Sequence, residues 1–149
     1  MSEVLFYHLQ AQPLEEVLPG LLERSLERTW RVVVESGVPE RVKELDDLLW
    51  TFRDDSFLPH GAQGDGYEDA QPIYITSGPE NPNGANVRFL VHNASLPDQI
   101  DYDRLVIMFN GDVDAEVQGA RVHWKSLQGS EHEATYWQQN ERGRWEKKA

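Results

Sequence analysis

Apolar and polar positions along this chain follow two periods, one of strands and one of helices. Residues 4–9 (VLFYHL) form a short apolar run of strand length, interrupted at Gln10–Pro13. Leu14, Val17, Leu18, Leu21, Leu22 and Leu26 then recur at helical spacing with Glu and Arg between them, which predicts an amphipathic helix with Pro13 suited to its first turn. Pro19–Gly20 falls inside this pattern and is expected to kink the helix or split it. Residues 31–36 (RVVVES) read as a β-branched buried strand closed by Gly37. Pro39 suits the start of a second helix, with Val42, Leu45, Leu49 and Phe52 on one face and Asp46 and Asp47 on the opposite, solvated one.

Residues 53–71 are rich in Gly, Asp and Pro and read as a long connection, a kind of segment that is usually functional or mobile. Two strands follow, 72–77 (PIYITS) and 87–92 (VRFLVH), separated by the turn-forming GPENPNGAN, and the expectation is an antiparallel pair with a wide hairpin loop. Residues 104–109 (RLVIMF) are the most apolar strand and belong at the centre of a sheet. Asn110–Gly111–Asp112 is expected to cap a third helix with an apolar face of Val113, Val117, Ala120, Trp124 and Leu127. Residues 134–139 (ATYWQQ) make a last strand before a polar tail. The opening β-α-β-α order predicts crossover connections. The expected fold is one α/β domain spanning 1–149, a mostly parallel twisted sheet with helices on both faces and one antiparallel hairpin.

Composition narrows the possible functions. With 149 residues and no cysteine, the chain needs no disulfide to fold and has no thiolate metal site or Cys nucleophile. Its formal charge of −12 argues against direct contact with a phosphate backbone. That charge is uneven: residues 1–120 hold 8 Lys and Arg against 22 Asp and Glu, whereas residues 121–149 hold 6 against 4. Only the C-terminal fifth is therefore net positive. The opening MSEVLFYHLQ is acidic where a signal peptide is basic, and no run reaches the roughly 20 apolar residues of a membrane span. A cytoplasmic protein is expected.

Familiar catalytic patterns are missing. The first strand-to-helix junction, HLQAQPLEE, has no glycine to admit a phosphate, so the fold reads as Rossmann-like without a phosphate loop. The glycines of GAQGDG at 61–66 lack the Gly-Lys-Ser/Thr ending of a P-loop. His8, His60, His92, His123 and His132 show no zinc-ligand spacing, and neither a metal nor a cofactor is expected. One enzymatic alternative is open, a small hydrolase or nucleotide-binding enzyme using His60 with Asp54 and Asp55.

Two constellations stand out. Trp50, Phe52, Phe57 and Leu58 lead from a helix into a loop ending Pro59-His60-Gly61, either folding into the core or forming an aromatic anchor for a partner. On the third helix Arg121, Lys125 and Gln128 make a basic-polar stripe beside Trp124. Such cations complement a helix C-terminus, or they grip an acidic peptide or terminal carboxylate while Trp124 walls an apolar pocket.

Taken in order, Phe6-Tyr7-His8-Leu9, Trp30-Arg31-Val32-Val33, Leu45-Asp46-x-x-Leu49-Trp50, Ser56-Phe57-Leu58-Pro59-His60-Gly61, Trp124-Lys125 and Thr135-Tyr136-Trp137-Gln138-Gln139 resemble the chi subunits of bacterial DNA polymerase III holoenzyme. The closing Trp145-Glu146-Lys147-Lys148-Ala149 is similar to alphaproteobacterial members. The resemblance implies a non-catalytic adaptor, grouped with DNA polymerase only through the holoenzyme. It implies a site for the acidic, apolar-ended tail of single-stranded DNA-binding protein at Arg121, Trp124, Lys125 and Gln128, and contact with DNA only through that protein. It also implies a surface for the psi subunit or an accessory helicase at Trp50, Phe57, Leu58, Pro59 and His60. Glu131 and His132 depart from some relatives, which have a glycine and an apolar aromatic near the tail pocket, and acid there would oppose an acidic peptide.

Overall fold

The computed structural model describes residues 2–51 and 58–149. Eight strands form one sheet: β1 (Glu3–Leu9), β2 (Val32–Ser36), β3 (His60–Ala62), β4 (Ile73–Thr76), β5 (Val87–Val91), β6 (Arg104–Asn110), β7 (Glu133–Gln139) and β8 (Trp145–Lys147). Three helices accompany them, α1 (Leu14–Glu27), α2 (Val42–Thr51) and α3 (Asp114–Leu127). The strand order is β3-β4-β2-β5-β6-β1-β7-β8, and every pair is parallel except β7–β8. As its composition requires, β6 lies centrally, between β5 and β1.

Strand alternation distributes the core over two faces. On one face Val32, Val34, Ile73, Ile75, Phe89, Val106 and Met108 pack under Leu18 and Leu22 of α1 and Val42, Leu45 and Leu49 of α2. On the other, Val4, Phe6, Leu90, Leu105, Ile107 and Phe109 pack under Ala120 and Leu127 of α3. Helices thus cover both faces. Phe52 lies outside the described residues.

The expected hairpin between 72–77 and 87–92 is not formed. Both strands pair in parallel with β2, one on each side of it, and the single antiparallel pair joins β7 to β8. The turn residues of 77–86 do turn the chain, but they carry it across the face of β2. Buried patterns on β4 and β5 demand neighbours and cover on both sides, which a surface hairpin would not supply. This crossover has no helix, so it is fastened by polar side chains. Asn83 donates to the carbonyls of Val32 (3.1 Å) and Gln71 (2.9 Å). Arg88, fully buried on β5, donates to the Gly78 carbonyl (2.7 Å), the Glu80 carbonyl (3.0 Å) and the Tyr102 hydroxyl (3.3 Å), and through Nε to Glu35 (3.0 Å).

Other local expectations change as well. Helix α1 runs unbroken through Pro19, which sits in its second turn and forfeits only the bond to the Glu15 carbonyl. The residue preceding α3 is Val113, with no side-chain cap, while Asn110 Oδ1 accepts from the Asp112 amide (2.9 Å). Residues 60–62 and 145–147, read as loop and tail, are short edge strands. Asp46 is not on a purely solvated face, since its Oδ1 lies 2.9 Å from His60 Nε2.

Candidate functional site

Helix α3 lays Val117, Ala120 and Trp124 over the sheet, but its stripe does not reach the whole of β7. A cavity of about 300 Å³ remains between them. Its floor comes from three strands: His8 of β1, Phe109 of β6 and Tyr136 of β7. Trp124 forms the wall, standing edge-on to Phe6 (5.2 Å between ring centres) and Tyr136 (6.0 Å). Arg121 and Lys125, one helical turn apart and both exposed, lie at the rim. Ala149 closes one end, beside the Lys148 amide that donates to the Tyr136 carbonyl (2.7 Å).

The floor is aromatic and uncharged. His8 Nδ1 is hydrogen-bonded to the Tyr136 hydroxyl at 2.6 Å, and its ring packs on Phe109 at 4.8 Å. Burial lowers the His8 pKa, with Asp112 opposing, so the imidazole is neutral at pH 7. Burial raises the Tyr136 pKa, with Arg121 opposing, so the phenol is neutral too. Gly111 makes this arrangement possible, because a Cβ there would collide with the His8 ring. Positive charge is confined to Arg121 and Lys125, neither of which has an ion pair among the described residues. An apolar, neutral floor under two unpaired cations suits a ligand that is anionic at one place and apolar beside it.

The structure brings Arg121, Trp124 and Lys125 together around this groove. Gln128 lies outside it, as the residue that follows α3, with its Nε2 3.4 Å from the Trp124 carbonyl. Glu131 is exposed and His132 Nδ1 accepts from the Ser2 amide (3.0 Å), and neither lines the groove. Sequence reasoning missed His8, Phe109 and Tyr136. Their signal was weak but present, since Phe6 and His8 share a strand face and Phe6 stands in register with Tyr136.

The second constellation divides. Trp50 is 55% exposed on α2 and packs against His60 at 4.7 Å. His60 is itself interior: Nδ1 donates to the Leu58 carbonyl (2.6 Å) and Nε2 faces Asp46. Leu58 belongs to the core and Pro59 is half-buried, so Leu58 and His60 are not surface anchors. Phe57, Asp54 and Asp55 lie outside the described residues. With Nδ1 committed to the Leu58 carbonyl and the ring buried against Trp50 and Asp46, His60 is an interior residue and the hydrolase reading loses its base. No group of three or more His, Asp or Glu is placed to hold a metal among the described residues.

The structure is thus a doubly wound α/β domain with a cation-rimmed apolar groove beneath α3. The family profile of the DNA polymerase III chi subunit, HolC, matches residues 1–135. A "Probable DNA polymerase III subunit chi" of Rickettsia prowazekii (strain Madrid E), an alphaproteobacterium, is 23% identical over 152 residues, covering 99% of this chain and 92% of that protein. The chain belongs to the DNA polymerase III chi subunit family, whose members are non-catalytic accessory subunits of the replicative holoenzyme.

Proposed function

We propose that this chain links the clamp loader and polymerase to single-stranded DNA-binding protein by holding that protein's acidic C-terminal tail in the groove beneath α3. The observation that carries this reading is the pairing of a neutral aromatic floor with two unpaired cations at its rim. Arg121 and Lys125 would pair with the tail's carboxylates, and Trp124, Phe109 and Tyr136 would hold its apolar end. DNA is then reached only through the bound protein, as suits a chain of charge −12. A peptide contact of this kind buries less than the roughly 1,200 Å² of standard interfaces, so its affinity is modest and falls with salt.

On this reading the protein works in the cytoplasm at the replisome, and the exposed Trp50 with Pro59 marks the side that meets the psi subunit or an accessory helicase. No helix among the described residues is long and apolar enough to cross a membrane. Titration with a synthetic acidic tail peptide tests the groove: Arg121→Glu should weaken binding about tenfold or more. Unchanged affinity in that variant removes the groove from consideration.

A further inference from the structure

A second cavity, of about 350 Å³, opens on the opposite face of the same strands. Its floor is Tyr7, Phe89 and Val106, and its sides are Arg24 and Arg28 of the α1 C-terminal turn with Arg104 of β6. Three guanidinium groups in one cavity are unexpected in so acidic a chain. Trp30 orders two of them, with Arg28 4.8 Å and Arg104 5.3 Å from its ring centre. Arg104 is already paired with Glu3 (3.0 Å), whereas Arg24 and Arg28 have no ion pair among the described residues. Glu27 is the acidic residue in the lining, so the balance stays positive.

The chemistry selects the ligand. The cavity lies at a helix C-terminus, where the dipole is negative, and no glycine lines it to bring the backbone close to a phosphate. The negative helix end opposes any anion, and a dianionic phosphate more strongly than a single carboxylate, so the separate guanidinium forks are matched better by separate carboxylates than by one phosphate. The apolar floor does not stop at the cavity, because Tyr7 continues onto the half-buried Trp145 of β8 at 4.7 Å. A strip of that kind accommodates a chain rather than a compact molecule. We infer that this face is a second protein-docking site, taking an acidic peptide segment that carries apolar side chains, on the opposite side of the sheet from the α3 groove.

The test uses the full chain carrying Arg121→Glu, so that the α3 groove does not contribute. A short synthetic peptide alternating Asp and Leu, blocked at both ends, is titrated by calorimetry. One-to-one binding is expected, and adding Arg24→Gln with Arg28→Gln should weaken it about tenfold or more. Restoring Arg121 in the double-Gln protein and titrating the tail peptide checks that the variant folds and keeps its groove. Absence of binding to Arg121→Glu protein, or binding indifferent to the Gln changes, overturns the inference. Arg24- and Arg28-dependent binding of inorganic phosphate, AMP or a single-stranded oligonucleotide, without peptide binding, overturns it in favour of a phosphate ligand. None of these outcomes bears on the groove, whose own test is the effect of Arg121→Glu on the tail peptide.

Discussion

Arg88 and Arg121 mark two regions on the same side of the sheet, and they are used in opposite ways. All five N–H donors of Arg88 are spent within the protein, on Glu35, two crossover carbonyls and the Tyr102 hydroxyl. Arg121, on α3, is exposed and has no such partner among the described residues. Where the chain lacks a crossover helix, a buried arginine ties the loop down. Where a helix is present, its arginine is left exposed at the groove rim. The same side chain is thus a fastener or, on the proposed reading, a receptor, according to how many carbonyls the backbone places around it.

The largest effect that would break this contrast is on the fastener. Glu35→Ala leaves a fully buried guanidinium without its carboxylate, and should cost about 3–5 kcal/mol in urea unfolding. A loss under about 1 kcal/mol would mean that the loop carbonyls alone hold Arg88. Trp124→Ala should cost less, about 2–3 kcal/mol, because this ring is only half-buried, and it should also abolish tail-peptide binding. Preserved binding in that variant would show that the groove wall is not an anchor.

His92 offers a third comparison, a buried polar group at the C-terminal ends of the strands. Burial and the nearby Arg41 lower its pKa to about 4, and its Nδ1 lies 2.7 Å from Ser36 Oγ. The unfolded chain takes up this proton near pH 6.5 while the folded one resists until about 4, so stability falls as pH drops through that window. The loss should be on the order of 3 kcal/mol. Because His92 has a positive φ of 52°, Asn is the substitution that tolerates its backbone, and His92→Asn should flatten the slope between pH 6.5 and 4 in thermal melts. An unchanged slope would assign the acid sensitivity to other groups. The smallest stability effect belongs to the receptor: Arg121→Glu should change unfolding free energy by no more than about 0.5 kcal/mol. In the same protein, tail affinity should fall about tenfold or more. A folding defect there would place Arg121 with Arg88 rather than opposite it.

How much was legible in the sequence depended on how far apart the interacting residues lie. Helix α3 and its Arg121, Trp124 and Lys125 could be read directly, because residues three and four apart share a helix face wherever the helix is placed. The six longer strands were legible from their apolar runs. Strands β3 and β8 were not, since three residues at a sheet edge, HGA and WEK, carry too little apolar signal. The turn at 77–86 was recognised, but turn residues reveal that the chain bends, not which strand it pairs with afterwards. Burial of Leu58 and His60 depended on Asp46 and the core around α2, neither of which the Phe-Leu-Pro-His run discloses.

Local periodicity therefore settled the α/β class, the central place of 104–109, the absence of a phosphate-binding turn and the basic stripe on one helix. Residue counts showed that the segment after residue 120 is net positive, but not that the fold gathers Arg24, Arg28 and Arg104 into a second positive cavity. The parallel crossover over β2, the joining of His8 to Tyr136 across 128 positions and the pairing of Arg88 with Glu35 needed the assembled sheet. Covalent neighbours fix backbone conformation and side-chain facing over a few residues. Which distant faces meet is decided by the collective burial of apolar surface and by the need of every buried donor for an acceptor.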